Sequence, residues 1–117
     1  MELADHEVLR RLGAVRLTET VLLAESEGQA VGFCSVHFRP WLAVENPYAE
    51  LTELYVRPQW RRRGVATALV TRVEEVARGR GARDLVLLTG CDNQAGQAFY
   101  RALGYADYCL AMRKRLT

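Results

Sequence analysis

The chain has 117 residues, half of them hydrophobic and 26% charged, a mixture that excludes a disordered, collagen-like or low-complexity chain and suits one globular core. No apolar run approaches the ~20 residues a membrane-spanning helix needs, and the opening Met1-Glu2-Leu3-Ala4-Asp5-His6-Glu7 is too acidic and broken for a secretory signal. A net charge of +2 is too small to argue for nucleic acid, so the expectation is a single cytoplasmic domain over residues 1–117 with neither a membrane nor a nucleic-acid partner.

In chain order, Leu3, Val8, Leu9 and Leu12 recur near the helical period and predict a short helix over 2–12, ended by Gly13. Residues 20–24 and 30–38 are rich in aliphatic and β-branched side chains around Glu25-Ser26-Glu27-Gly28, and read as a hairpin. Residues 40–48 carry two prolines and read as a loop. Residues 50–56 predict a strand that Pro58 ends. Residues 64–77 predict a helix with Val65, Leu69, Val73 and Val76 on one face and Gly79 and Gly81 closing it. The continuous apolar run 84–89 predicts a strand buried on both faces. A helix over 93–103, stopped by Gly104, and a last strand over 105–112 complete the pattern. Strands alternating with helices imply a sheet with helices on its faces.

The three cysteines show no CxxC spacing and read as reduced thiols. His6 and His37 have no metal-ligand spacing with them, so no metal is expected. Of the 16 basic residues only Lys114 is not Arg, and Arg57, Arg61, Arg62 and Arg63 crowd one short stretch. There a strand ends, a basic loop follows, and a helix begins at Gly64. A helix N-terminus leaves backbone N–H groups without partners and carries partial positive charge, so an anion placed there meets both. Gly64 and Ala66 keep side-chain bulk away, and Arg forks add charge. Neither GxxxxGK[ST] nor GxGxxG is present.

Two motifs in order then resemble one family. Val56-x-Pro58-x-x-Arg61-x-x-Gly64-Val65-Ala66-x-x-Leu69 is similar to the acetyl-CoA loop of the GCN5-related N-acetyltransferases (GNAT), whose pattern [Gln/Arg]-x-x-Gly-x-[Gly/Ala] is filled by Arg61, Gly64 and Ala66. Asn93-Gln94, followed by Phe99-Tyr100-x-x-x-Gly104-Tyr105, resembles the family's next motif, one helix and one strand further on. The resemblance covers roughly residues 20–112.

It implies the α/β (α+β) GNAT fold: a mixed, mostly antiparallel sheet with flanking helices, whose fourth and fifth strands splay apart around the pantetheine arm. Strand four would be 50–56 and its neighbour 84–89. The backbone of Leu54, Tyr55 and Val56 would meet the arm, and Arg61, Arg62, Arg63, Gly64, Val65, Ala66 and Thr67 the pyrophosphate. Asn93 would bond the coenzyme or cap its helix. The implied activity is direct acetyl transfer from acetyl-CoA to a primary amine in a ternary complex, with no metal. Tyr100 would donate a proton to the leaving thiolate, as a phenol with a reference pKa near ~10 can. Glu53 would be the base, directly or through water; because strict alternation puts Thr52 and Glu53 on opposite faces, Glu50 is the substitute if the pocket lies on Thr52's side, and transfer with bulk water or no dedicated base stays open. The oxyanion would be met by the amide of Tyr55 or Val56. A covalent thiol at Cys91 is not the family's route.

The chain also departs from the family. One short helix stands before the hairpin where relatives carry a strand and two helices, so the N-terminal part reads as shortened and an edge near Thr20 as bare. A bare edge and the apolar alternation of Tyr108, Leu110 and Met112 imply a homodimer. Trp41, Glu45, Tyr48 and Glu50 fall where a cationic acceptor would enter. A catalytically weak acyl-CoA-binding module and an Arg-rich nucleic-acid binder remain open as other readings.

Overall fold

The computed structural model describes residues 19–39 and 48–117, and the backbone of Glu2–Asp5. The chain divides into two compact units, Met1–Leu87 and Leu88–Thr117. In the first, strands β1 (Glu2–Asp5), β2 (Glu19–Ser26), β3 (Gln29–Arg39), β4 (Tyr48–Val56) and β5 (Leu85–Leu87) form one sheet in that spatial order. The first three pairings are antiparallel, and β4 pairs β5 in parallel. This is the mixed, mostly antiparallel sheet that the resemblance implies.

β2 and β3 meet in a two-residue turn. Glu27 and Gly28 have φ of 54° and 76°, the doubly positive pattern whose twist matches the flanking strands. Helix α1 (Val65–Gly79) crosses one face of the sheet and buries Val65, Leu69, Val70, Val73 and Ala77 against it. From the strands, Leu22, Ala24, Cys34, Val36, Ala49, Leu51 and Val56 join that core. Gly32 sets the helix height. A Cβ there would stand 2.8 Å from the Tyr55 carbonyl oxygen and 3.3 Å from Val65 Cγ1, so only glycine lets the first turn of α1 settle onto β3 and β4. α1 stops in a Schellman motif. Gly81 takes φ 84°, its N–H donates to the Arg78 carbonyl at 3.0 Å, and that of Ala82 to the Ala77 carbonyl at 3.0 Å.

The second unit holds helix α2 (Gln94–Ala102). It too ends in a Schellman motif: Gly104 has φ 98°, and the N–H of Tyr105 donates to the Tyr100 carbonyl at 3.0 Å. The Tyr105 ring packs edge-on against Tyr100, centroids 5.7 Å apart.

Five expectations are corrected. Glu2–Asp5 is a strand on β2, not the start of a helix; the rest of the predicted helix, residues 6–12, lies outside the described residues. A ladder to a strand some twenty positions away outweighs a local helical period, which carries no information about sheet edges. The β2 edge is therefore covered by β1 from Leu22 to Glu25, and a strand does precede the hairpin; among the described residues, Glu19–Val21 have no partner on that side. The predicted strand 84–89 shrinks to Leu85–Leu87, half-buried rather than enclosed, with Leu88 exposed. Residues 105–112 form no strand, and Tyr108, Leu110 and Met112 stand 79%, 82% and 88% exposed. Alternation makes a segment able to pair but does not itself supply a partner strand. The predicted loop 40–48 contributes Tyr48 to β4; its remainder, with Trp41 and Glu45, lies outside the described residues.

Cys34 is buried under α1, and its thiol contacts the Leu69 carbonyl at 3.9 Å. Burial pushes this thiol up to about 12, against a smaller opposite pull from the Leu22 backbone. A thiol protonated in the folded state and ionised in the unfolded one makes the unfolded state bind fewer protons. Its contribution to stability is full below about pH 9 and is lost as pH rises towards 12. Urea unfolding should show stability falling across that window, with a shallower fall in Cys34→Ala. In the native protein a thiol reagent should modify the exposed Cys91 and Cys109 and leave Cys34 untouched until denaturant is added.

Candidate active site

The site in the first unit begins with a change of register in β4. Gly32 pairs Val56, Phe33 pairs Tyr55, Cys34 pairs Leu54 and Ser35 pairs Glu53; then Val36 pairs Leu51. Thr52 is the extra residue of a β-bulge. The pairing with β5 runs only through Ala49, Glu50 and Leu51, so it stops where the bulge begins. Among the described residues, the far edge of β4 from Thr52 to Val56 has no ladder partner. Over five residues that edge is roughly 16 Å long.

The backbone facing this edge follows from the ladder. The Arg57 N–H donates to the Val31 carbonyl at 2.8 Å. Antiparallel pairing then turns the peptide groups of Tyr55 and Glu53 towards β3, and those of Leu54 and Val56 to the vacant edge. Of the two amides expected to meet an oxyanion, Val56 faces the gap and Tyr55 lies in the ladder.

β4 runs directly into the basic loop. Pro58–Trp60 form one turn of 3₁₀ helix, Arg62 and Gly64 hold φ of 63° and 83°, and α1 starts at Val65. A non-glycine residue held at positive φ is uncommon and is found at sites where the surrounding structure dictates the backbone. Arg61 reaches back so that its Nε donates to the Val56 carbonyl at 2.9 Å, and its guanidinium lies 5.7 Å from the centre of the Tyr55 ring. Arg57 Nε donates to the Ala30 carbonyl at 2.7 Å, and Arg63 lies over Trp60 at 5.0 Å. These contacts tie the loop to β3 and β4 while Arg62 and Arg63 remain exposed. Gly64 caps α1 with no side chain, and no acidic residue stands in the first turn. The N–H groups of Val65, Ala66 and Thr67 therefore have no intrahelical acceptor and no side-chain substitute.

On the face of the sheet away from α1, the bulge overturns the expected alternation. Glu53 is directly opposite Ser35, and the Thr52 hydroxyl lies 2.6 Å from that of Ser35, so both side chains occupy Ser35's face. Glu50, opposite His37, shares it. Strict alternation would put Thr52 and Glu53 on opposite sides; the bulge adds one residue to the period and brings them together. Glu50 is engaged by Arg39 Nε at 2.6 Å, whereas no hydrogen bond or ion pair holds the exposed Glu53 among the described residues. His37 Nε2 lies 3.4 Å from a Glu19 carboxylate oxygen.

In the second unit, the Asn93 side-chain oxygen accepts from the Gly96 N–H at 3.1 Å and caps α2. Gly96 makes this possible: a Cβ at 96 would collide with the Asn93 amide. Gln97 Nε2 donates to the carbonyls of Gly90 at 2.8 Å and Cys91 at 3.1 Å, which pins the turn before the helix. Tyr100 is half-buried between Phe99 and Tyr105, and Cys91 is exposed. Gly32, Gly96 and Gln97 were missed in the sequence; a glycine inside a predicted strand was the signal for Gly32. No cluster of three or more His, Cys, Asp or Glu that could hold a metal occurs among the described residues. No helix among them is long and apolar enough to cross a membrane.

The sequence pattern of the Acetyltransferase (GNAT) family matches residues 3–105. An uncharacterized N-acetyltransferase of Methanocaldococcus jannaschii is 33% identical over 87 residues, covering 73% of this chain and 38% of that protein. The aminoglycoside N(6')-acetyltransferase type 1 of Klebsiella aerogenes is 35% identical over 98 residues, covering 81% and 64%. The chain thus spans between about two-fifths and two-thirds of the length of these relatives. A solved structure of AAC(6')-Iy in complex with a bisubstrate analogue, CoA-S-monomethyl-acetylneamine, superposes with a TM-score of 0.74 at 27% identity, covering 86% of this chain and 71% of that one. The chain belongs to the GNAT acetyltransferase family.

Gly64→Val should weaken acetyl-CoA binding at least tenfold. A β-branched residue is strained at φ 83° by about 1–3 kcal/mol, and the loop would relax away from the geometry that presents the α1 amides. The space around Gly64 is open, with nothing within 4 Å of where a Cβ would stand, so backbone conformation rather than crowding within the chain carries the effect. Calorimetric titration checks it, and near-native affinity would remove the loop from the coenzyme site.

Proposed function

We propose that this chain is an acetyl-CoA-dependent N-acetyltransferase, one domain over residues 1–117, that passes the acetyl group directly to a primary amine of a small molecule or peptide. The observation that carries this reading is the continuity of the bulged, half-unpaired β4 with an uncapped helix N-terminus ringed by arginines. An extended acyl-pantetheine arm complements the first, and a pyrophosphate the second. Family membership and the coenzyme-derived analogue held by AAC(6')-Iy support the same assignment.

In this reading the amides of Leu54 and Val56 pair with the arm alongside Tyr55, and Val56 N–H donates to the thioester oxygen as charge develops on it. Arg61 holds the loop, and Arg62, Arg63, Gly64, Val65, Ala66 and Thr67 receive the pyrophosphate. Asn93 offers its Nδ2 to the coenzyme while its oxygen caps α2. Glu53 takes the proton from the attacking amine, directly or through water. Its lack of a partner among the described residues favours it over Glu50, which Arg39 occupies. Tyr100 gives its phenol proton to the departing thiolate, so the amine loses one proton and the thiolate gains one. The Glu53 carboxylate, unpaired among the described residues, suits a cationic acceptor, and the Klebsiella aerogenes relative is named for an aminoglycoside, a polycationic amine. The reading places the protein in the cytoplasm with its thiols reduced.

The test is an acetyl-CoA turnover screen across aminoglycosides, polyamines, amino acids and peptides. Coenzyme binding without turnover on any acceptor would make the chain a binding module instead. With an active acceptor, Tyr100→Phe should lower kcat about 10²-fold with little change in coenzyme affinity. An unchanged kcat, measured where chemistry limits the rate, would leave Tyr100 only its part in the aromatic stop of α2.

We also propose a homodimer. Its support is the exposed alternation Tyr108, Leu110, Met112, apolar surface of the kind that a second chain covers; β1 covers the β2 edge from Leu22 to Glu25, so only the short stretch near Thr20 is left to contribute. Sedimentation across a concentration series should show dimer at micromolar protein, shifted towards monomer in Leu110→Glu. A monomer throughout would remove the proposal.

A further inference from the structure

We infer that the Ser35–Thr52 hydroxyl pair is a latch that fixes the position of the β4 bulge, making both residues positioning residues for Glu53. The inference rests on the acetyltransferase reading above and deepens it. The apolar pattern of β4 demands a bulge but does not say where. Ala49 and Leu51 face α1 on one phase of the pleat and Leu54 and Val56 on the other, three positions separating Leu51 from Leu54. One residue between them must be extra, and Thr52 and Glu53 are the two candidates. If Glu53 were the extra residue, Thr52 would sit opposite Ser35 and the carboxylate would leave that position.

The structure adopts the other choice, and one contact explains it. Among the described residues Ser35 is the only buried polar side chain, 1% exposed, and its hydroxyl lies 2.6 Å from Thr52 Oγ1. A buried hydroxyl needs a partner, and the bulged Thr52 supplies it. The Thr52 hydroxyl also reaches the Ser35 carbonyl at 3.4 Å. Thr52 donating to that carbonyl and Ser35 donating to Thr52 Oγ1 satisfies both protons. The pair holds the extra residue against β3 by its side chain and leaves Glu53 in the ladder opposite Ser35. Without the pair, the bulge can sit at either residue, and the Glu53 carboxylate is shared between two positions.

The test uses Thr52→Val, Ser35→Ala, the double variant and Thr52→Ser, each checked for native circular dichroism. Thr52→Val should lower kcat about tenfold and change KM for acetyl-CoA less than twofold, since the phosphate loop is untouched. The double variant should be no worse than the poorer single one, because the two hydroxyls act as one unit. Thr52→Ser, which keeps the hydroxyl, should stay within twofold of the wild type. A second readout needs no turnover: amide exchange at Glu53 should speed up at least tenfold in Thr52→Val while Phe33 and Tyr55 keep their protection. Unchanged Glu53 protection overturns the latch. Faster exchange with an unchanged kcat overturns the positioning role. If the wild-type chain transfers no acetyl group to any amine, the acetyltransferase reading falls by itself, and the exchange result alone decides the latch. Should Ser35→Ala not fold, the two Thr52 variants carry the test.

Discussion

The phase slip in β4 is the constraint on which the remaining geometry depends. Four apolar side chains, Ala49, Leu51, Leu54 and Val56, cannot all reach α1 from a strand of strict period two. Keeping the alternation would turn Val56 and the half-buried Leu54 away from the core, at about 1.5–3 kcal/mol for a fully buried side chain such as Val56 and less for Leu54. A bulge disrupts the ladder at one residue, and a ladder hydrogen bond is worth about 0.5–1.5 kcal/mol net. Burial wins, the strand bends, and pairing with β5 ends at Leu51. The open edge is thus a by-product of satisfying the core, which is why it can be kept free of a strand without a separate stabilising device.

The same core fixes the helix end of the candidate site. Gly32 lets Val65 and Leu69 approach β3 and β4, so the first turn of α1 is held by packing rather than by a cap. A Ser, Thr, Asp or Asn cap would stabilise a helix start by only about a few tenths of a kcal/mol more than glycine does. Here Gly64 forgoes it, and the amides that a cap would have consumed stay available. The loop feeding that helix gains its order from Arg57 and Arg61 bonding backbone carbonyls of β3 and β4. Two of the clustered arginines are therefore structural as well as electropositive, and the exposed Arg62 and Arg63 carry most of the cluster's freedom to meet an anion.

The second motif has a plain structural reason for its spacing. Gly104 supplies the left-handed residue that ends α2, and Tyr105 is the position whose N–H returns to the Tyr100 carbonyl and whose ring packs on Tyr100. Phe-Tyr-x-x-x-Gly-Tyr is in this sense a helix stop with its hydrophobic contact. Asn93 with Gly96 is the matching start. A proton-donating role for Tyr100 would use a side chain whose orientation these two ends already define.

Local signals in the sequence determined most of the elements: the hairpin from Glu27-Gly28, α1 from its apolar period, α2 from its cap and stop, and the basic loop before α1 from Arg61, Gly64 and Ala66. Each depends on neighbours within a few residues, where propensity and spacing are decisive. The phase slip between Leu51 and Leu54 is also written there, as a step of three positions, two residues between, in an alternating strand, although plain alternation is the simpler reading of the same residues. What only the tertiary structure decided was long-range. Glu2–Asp5 became a strand because β2 offered an edge, and residues 105–112 did not become one. Glu53 and Thr52 came to share a face because the bulge between Leu51 and Leu54 falls opposite Ser35, where the Thr52 hydroxyl meets that of the buried Ser35. Such outcomes are set by which backbone edges and buried polar groups meet in space, and a one-dimensional period does not contain that information.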